Sequence, residues 1–420
     1  MDSRFRGNDK WRMRMTNGAK MKNNTITSPK GFLAAGISGG VKASGKKDIG
    51  IICCPTGAKA AGVFTTNKVV SAAVTVCKKH IKTGNTEAII VNSGNANTCT
   101  GKLGLKNAQI MCQTAAQLTD AKANQILIAS TGIIGHQLPM EKVTAGIILA
   151  AAQLSGSPKA GNDFAQAIMT TDTRCKQAFK TVNIDNAKIT IAGTAKGAGM
   201  IGPNMATTLC FITTDAAITK SLLQKALKDA IGNSLNKLTV DGHQSTNDTA
   251  IILASGLAGN KTITKTDIQY KKFAAALAQL ATDLAKQMAL DAEGATRMFT
   301  VVVKNAANKN EAAKAARAVA DYDLVKCAIH GGDPNWGRII CAVGSCGVKL
   351  NPKKLTCNIG NITVFKNGRP VNFDPKKVSK IIKQKEHIIT VNLGTGRFSD
   401  FCYGCDLSAG YVRINADYHT

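Results

Sequence analysis

The apolar positions of this chain fall into two rhythms. Short apolar runs at 88–91, 126–129, 188–192, 207–213, 250–254 and 298–303 have strand length and are bounded by polar or glycine-containing segments. Elsewhere the spacing is helical. Leu222, Leu223, Ala226, Leu227, Ala230, Ile231 and Leu235 recur three and four residues apart, opposite Lys225, Lys228 and Asp229. Phe273, Leu277, Leu280, Leu284 and Met288 form a second stripe, which is expected to end at Ala292-Glu293-Gly294 with the glycine as terminator. Alternating strands and helices predict an α/β (α+β) protein. Patterning begins near Gly31. Near residue 300 the chain becomes lysine-rich, with turn signals at Asn351-Pro352, Asn367-Gly368 and Asp374-Pro375. The expected organisation is a disordered basic extension over 1–30, a main domain over 31–300 and a smaller C-terminal α/β domain over 301–420.

Composition changes this picture only at its edges. With 420 residues, 44% of them hydrophobic, the chain can bury a large core. Lysine and arginine number 54 against 26 acidic residues, a net charge of +28 that invites a nucleic-acid reading. The distribution argues against one: the lysines are spread out, aromatics make up 5%, and no helix-turn-helix, zinc-finger or RNA-binding signature is present. A diffuse positive field instead suits anionic metabolites. Thirteen cysteines are scattered except for Cys53-Cys54 and Cys402-Tyr403-Gly404-Cys405. One C-x-x-C without a second pair does not make a zinc site, so reduced cysteines and no metal are expected. The apolar run at 147–153 is far short of the roughly 18 residues that span a bilayer. Arg4, Arg6, Lys10, Arg12 and Arg14 surround no apolar centre, so this is not a secretory signal. A cytoplasmic protein with no membrane partner is expected.

The candidate chemistry lies in glycine-broken segments that lead into or out of strands. Gly197, Gly199, Gly202 and Pro203 can hold the backbone ahead of Ala206-Thr207 in conformations other residues avoid. Such a loop can present the Ala206 carbonyl to the Thr207 hydroxyl. An N→O acyl shift followed by hydrolysis would free the Thr207 amine, which has an ordinary pKa near ~7.7–8.0 and can act as base for its own hydroxyl. Taken by spacing alone, the same residues also read as a turn before a buried strand. Ser130-Thr131-Gly132-Ile133-Ile134-Gly135 follows another strand and offers the Thr131 hydroxyl and the Gly132 N–H to a developing oxyanion, or simply a turn. Asn92 to Thr98 reads equally as a self-satisfying polar loop or as a functional one. Thr170-Thr171-Asp172-Thr173 offers hydroxyls and one carboxylate to a ligand or to a cap. His136, beside the Thr131 segment, reads as structural.

These segments, in order over about 31–420, resemble the ornithine acetyltransferase (glutamate N-acetyltransferase) family of arginine biosynthesis. The strongest match is KGAGMIGPNMATTLCFIT at 196–213, which is similar to the family's self-cleavage motif. VFTTN at 63–67, NSGNANTCTG at 92–101, STGIIG at 130–135, TTDT at 170–173, DGHQSTND at 241–248, EGAT at 293–296, DPNWGR at 333–338 and YVRIN at 411–415 support it. The resemblance implies a sandwich-like catalytic domain with sheets covered by helices, cleavage between Ala206 and Thr207, and Thr207 as nucleophile and base. It further implies Thr131 and Gly132 as oxyanion hole, and Thr170, Lys196, Thr207, Glu293, Asn415 and Thr420 as substrate contacts. The implied reaction is ping-pong transfer of acetyl from N2-acetylornithine to glutamate through acetyl-Thr207. It needs no cofactor, and acetyl-CoA is the second donor that bifunctional members use. Alpha and beta chains from one precursor would pair as alpha2beta2 or larger. His243 and Gln244 depart from the pattern, where smaller or acidic residues are expected. Two rivals predict different behaviour: a self-processing aminopeptidase passes its acyl group to water, and a basic nucleic-acid-binding protein is retained on DNA or RNA in a salt-sensitive way.

Overall fold

A computed structural model describes residues 23–202 and 208–417. Residues 1–22, Ala206, Thr207 and Thr420 lie outside the described residues. The strands described form two sheets. The first contains β1 (Leu33–Ile37), β2 (Ile49–Phe64), β3 (Asn85–Asn95), β4 (Ile126–Ile133), β5 (Lys176–Ile184), β6 (Ala187–Lys196), β7 (Leu209–Thr214) and β8 (Thr249–Ala254). Its order is β4-β3-β2-β8-β7-β6-β5, with β1 paired to β2. The second contains β9 (Met298–Ala306), β10 (Thr356–Ile359), β11 (Ile362–Lys366), β12 (Arg369–Pro370), β13 (Glu386–Asn392) and β14 (Phe398–Cys405), in the order β12-β11-β10-β13-β9-β14.

Alternation along the central strands explains why the first sheet is covered on both faces. In β7, Leu209 and Phe211 point into one core while Cys210 and Ile212 point into another. In β8, Ile251 and Leu253 join the first core, and Ala250 and Ile252 the second. Side chains on a strand alternate faces, so an unbroken apolar run needs an apolar partner on each side. The first face is covered by α1 (Ala72–His80), α2 (Gly101–Thr119), α3 (Met140–Ala152) and α4 (Pro158–Ala167). The second is covered by α5 (Lys220–Gly232) and α6 (Ile268–Leu290). The predicted positions Leu223, Ala226, Leu227, Ala230 and Ile231 of α5 and Phe273, Leu277, Leu280, Leu284 and Met288 of α6 are buried. Leu222 is half-buried, and Leu235 lies in a separate turn after α5 ends. The expected α/β class, with a helix-covered sheet, is what forms.

One strand was not expected, and three expectations shift. First, β2 combines Pro55 and Gly57 with a break in register between Cys53 and Ala58, which is why its sixteen residues do not read as one strand. Its first half pairs with β1 and its second with β8. Second, α6 stops at Leu290 with Asp291 as its cap, so Gly294 is not the terminator. Gly294 is needed for another reason: at φ +68 it lets the chain at Tyr411 approach, where a Cβ would stand 2.3 Å from the Tyr411 nitrogen. Third, the part of the expected extension from residue 23 onward packs. Ile26 is fully buried, and its carbonyl accepts a bond from Thr213 Oγ1 at 2.6 Å. Fourth, the boundary expected at 300/301 falls inside β9, and the second sheet begins at Met298.

The second sheet is covered by α7 (Lys309–Asp321), α8 (Asp323–Gly331), α9 (Trp336–Ser345) and α10 (Pro375–Ile382), which share its core. The Asp374-Pro375 turn signal serves as N-cap and first residue of α10, with the Asp374 carboxylate accepting the Lys376 N–H. The chain then returns toward the first sheet through α11 (Ala409–Asp417). The C-x-x-C lies on β14, where residues three apart face opposite ways. Cys402 packs in the second-sheet core and Cys405 against α6 and its neighbours. Burial pushes their thiols up to about 12 and about 11.

Candidate active site

The end of β4 forms one wall of a cavity. β3 and β4 run parallel and their register breaks at Gly94/Asn95, opposite Gly132. Gly132 has φ +132, and a Cβ there would stand 2.3 Å from the Gly94 carbonyl carbon and 2.5 Å from the Asn95 nitrogen. Only glycine fits so close a backbone approach. Beneath this wall lies a buried polar scaffold. Ser130 Oγ donates to Asn92 Oδ1 at 2.6 Å, and Asn247 Nδ2 donates to the carbonyls of Ala96 at 2.6 Å and Ser130 at 2.8 Å. The Asn92–Thr98 segment therefore satisfies itself while holding Thr131 and Gly132 in place. His136 is exposed, and its carbonyl accepts from Asn95 Nδ2.

Lys196 ends β6 and is 2% exposed. Its Nζ donates to Thr131 Oγ1 at 3.2 Å, leaving the threonine's own proton to donate elsewhere. Burial pulls the Lys196 ammonium below its usual pKa; Asp172 and Glu293 oppose that pull and Lys176 adds to it. The Asp172 carboxylate organises the neighbouring segments: Oδ2 accepts the Thr170 N–H at 3.0 Å and Oδ1 accepts the Gly197 N–H at 2.8 Å. Burial alone would raise its pKa, but the Lys176 and Lys196 ammoniums and the hydrogen bonds from Lys176 and the Gly197 N–H hold it well below the usual carboxylate range. Lys176 is fully buried and bridges Asp172 to Asp291, whose Oδ2 lies 2.6 Å from the ammonium. That one cation ties the segment at 170–173 to the end of α6.

Glu293 follows that end. Its N–H donates to the Ala198 carbonyl at 2.9 Å, which sets it beside the 197–200 segment. Asn415 Nδ2, on α11, donates to Glu293 Oε2 at 2.9 Å. One turn earlier, Tyr411 Oη donates to Asp241 Oδ2 at 3.1 Å, and the same oxygen accepts the Met200 N–H at 2.7 Å. Burial, then the Asp241 carboxylate, pushes the Tyr411 phenol up, so it remains a donor. The C-terminal helix is thus fastened over the 197–202 segment by two polar contacts.

Thr131, Gly132, Thr170, Lys196, Glu293 and Asn415 line a single cavity of about 240 Å³. Thr171, Gly199, Met200, Asp241, His243 and Tyr411 complete its described wall. Six predicted site residues, drawn from sequence positions 131 to 415, are therefore brought together. Ala206, Thr207 and Thr420, also predicted, lie outside the described residues. The chain re-enters the described structure beside the cavity, because Leu209 is the register partner of Lys196. Thr208 is held at its N–H by Asp248 Oδ1 at 2.7 Å and at its carbonyl by the Thr249 N–H at 3.0 Å. Among the described residues no group of three or more His, Cys, Asp or Glu side chains could hold a metal ion, and no helix is long and apolar enough to cross a membrane.

Sequence reasoning did not single out Lys176, Asp241, Asp291 or Tyr411. Three of them left a signal: Lys176 stands four residues after Asp172, Tyr411 four before Asn415, and Asp241 heads the DGHQSTND segment. Asp291 is joined to the site only by the fold.

The sequence pattern of the ArgJ family matches residues 33–420. The arginine biosynthesis bifunctional protein ArgJ of Symbiobacterium thermophilum is 45% identical over 397 residues, covering 94% of this chain and 98% of that protein. The protein of the same name from Caldanaerobacter subterraneus subsp. tengcongensis is 43% identical over 399 residues, again 94% and 98%. A solved structure of arginine biosynthesis bifunctional protein argJ from Bacillus halodurans is 44% identical, with 50% of this chain and 98% of that chain covered and a TM-score of 0.48.

Proposed function

Since this chain belongs to the ArgJ family, we propose that its cavity performs the acetyl exchange of arginine biosynthesis through a self-released Thr207. The enzyme is an acetyltransferase, the glutamate N-acetyltransferase/ornithine acetyltransferase of that pathway, and acts on small-molecule substrates. What remains proposal is the assignment of roles. The observation that carries it is the convergence of the Lys196 ammonium, the Glu293 carboxylate and the Thr131–Gly132 wall on one cavity beside the start of β7. N2-acetylornithine and glutamate each carry a carboxylate. Lys196 suits that carboxylate, whose arrival restores the ammonium that burial disfavours. Glu293, with Asn415 alongside, suits an ammonium group.

In the proposed maturation, Thr207 Oγ adds to the Ala206 carbonyl carbon. The C–N bond breaks, the hydroxyl proton passes to the departing nitrogen, and an ester remains. Water hydrolyses that ester, leaving an Ala206 carboxylate and a free Thr207 amine. In the transfer, this amine takes the proton of its own hydroxyl as Oγ attacks the acetyl carbon of N2-acetylornithine. Oxyanion charge falls to the Thr131 hydroxyl and the Gly132 N–H. One such donor is worth about 2.7–4 kcal/mol in acyl-transfer enzymes. Ornithine leaves with the proton. The glutamate α-amine then attacks acetyl-Thr207, and the proton it loses returns to Oγ. One amide replaces another, so no energy source or cofactor is needed. The two chains would stay associated as alpha2beta2 or larger, in the cytoplasm.

Intact mass spectrometry tests the reading. Two chains of similar size are expected, the second beginning at Thr207, and Thr207→Ala should remain a single chain. Incubation with N2-acetylornithine in the absence of glutamate should add one acetyl group to the Thr207 chain, and glutamate should remove it. A cleaved Thr207→Ala variant would end the autocatalytic account. Free acetate as main product, unaffected by glutamate, would favour an aminopeptidase-like hydrolase. Replacing N2-acetylornithine by acetyl-CoA reports whether the second donor is used.

A further inference from the structure

One buried carboxyl beside β7 has no part in the scheme above. Asp248 precedes β8 and is 0% exposed. Its Oδ1 accepts the Thr208 N–H at 2.7 Å, and its backbone carbonyl accepts the Thr65 N–H at 2.9 Å. Its Oδ2, also buried, has no hydrogen-bond partner among the described residues. A buried ionised carboxylate needs cations or several N–H donors to offset lost hydration. Asp248 has one donor on one oxygen. Burial pushes its pKa well above the usual carboxylate range, with the Thr208 N–H and the Lys196 ammonium opposing that only in part.

We propose that Asp248 is a positioning residue for Thr207, acting through the peptide group that Thr207 and Thr208 share. The inference rests on the reading of Thr207 as nucleophile and deepens it. A peptide group is planar, so holding the Thr208 N–H fixes the plane that carries the Thr207 carbonyl. The Thr249 N–H holds the other side of Thr208, so the strand start cannot swing. Asp248 is not among the described residues that line the cavity. Its effect falls on the orientation of the nucleophile. Because only Oδ1 accepts a hydrogen bond among the described residues, asparagine can replace it, its amide oxygen taking the same N–H.

The test compares Asp248→Asn and Asp248→Leu for the time course of cleavage by intact mass, for steady-state acetyl transfer and for unfolding midpoint. Asp248→Asn is expected to cleave and transfer at rates close to wild type. Asp248→Leu, folded, is expected to cleave slowly, and its cleaved fraction to lose ~10²-fold in kcat with KM little changed, the scale of a misplaced reacting group. Wild-type cleavage and kcat in Asp248→Leu would overturn the proposal. So would an asparagine variant that folds but does not cleave, a result that also decides the matter should the leucine variant fail to fold. Thr207→Ala separates the two claims. If it is blocked while Asp248→Leu behaves as wild type, the nucleophile stands and only the positioning role falls; if it cleaves and transfers, the nucleophile reading itself fails.

Discussion

Gly199→Ala places one methyl group against the Glu293 carboxylate, which lines the cavity. A Cβ at Gly199 would stand 2.3 Å from Glu293 Oε2, 2.6 Å from Cδ and 2.8 Å from Oε1. Ordinary contact begins near 3.4 Å, so the carboxylate must retreat by about 1 Å. Gly199 is not in the left-handed region, which leaves this contact as the whole effect. Glu293 is held at its N–H by the Ala198 carbonyl, so the side chain has to rotate away and its 2.9 Å bond to Asn415 breaks. A shift of ~1 Å in a substrate-positioning group costs ~10²-fold, or about 2.7 kcal/mol of transition-state stabilisation. The assay is kcat/KM for acetyl transfer from N2-acetylornithine to glutamate, on protein whose cleavage has been checked by mass. Gly344→Ala, with nothing within 4 Å of the added carbon, is the control. In the double variant with Glu293→Ala, the methyl meets no carboxylate and should cost nothing further. Wild-type kcat/KM in Gly199→Ala, or additive losses in the double variant, would refute the reasoning.

Two further predictions concern stability. His387 is buried against Phe299, neither ring nitrogen has a hydrogen-bond partner among the described residues, and burial, reinforced by Arg297, lowers its pKa from 6.5 to about 4. The unfolded chain then binds the proton first, so stability is full above the unfolded pKa and falls as pH drops through the window down to about 4. The loss is about 2 kcal/mol by pH 5 and about 3 by pH 4, and His387→Phe should remove it from unfolding curves measured across that range. An unchanged acid limb in that variant would show that His387 is not its source. Lys176→Met leaves the Asp172 and Asp291 carboxylates buried without their shared cation, which should destabilise the fold by about 3–5 kcal/mol in urea or heat; wild-type stability there would contradict the bridging role.

Much of the fold was legible because burial repeats with a period. The stripes of α5 and α6 and the apolar runs of β3, β4, β6, β7, β8 and β9 appear where the pattern puts them, since a helix face or a strand face must be apolar to be covered. β2 was not legible, because its Pro55-Gly57 interruption breaks the pattern locally while the sheet continues across it through a register shift. The end of α6 was misread for a related reason. Gly294 carries a termination signal, but Asp291 ends the helix, its carboxylate drawn to Lys176, the first residue of β5, and to Thr173 just before that strand, over a hundred residues earlier.

The site divides in the same way. Sequence alone determined which residue types sit in which motifs, and through them the family and the chemistry open to the chain. Those motifs are local, and a glycine-rich approach to a strand or a Thr-Gly strand end needs only neighbouring residues. Only the tertiary structure decided that Thr131, Thr170, Lys196, Glu293 and Asn415 share one cavity, and that Asp172, Lys176 and Asp291 hold its walls together. Ion pairs and hydrogen bonds between residues far apart along the chain depend on strand order and register. No period in the sequence encodes the distance between them.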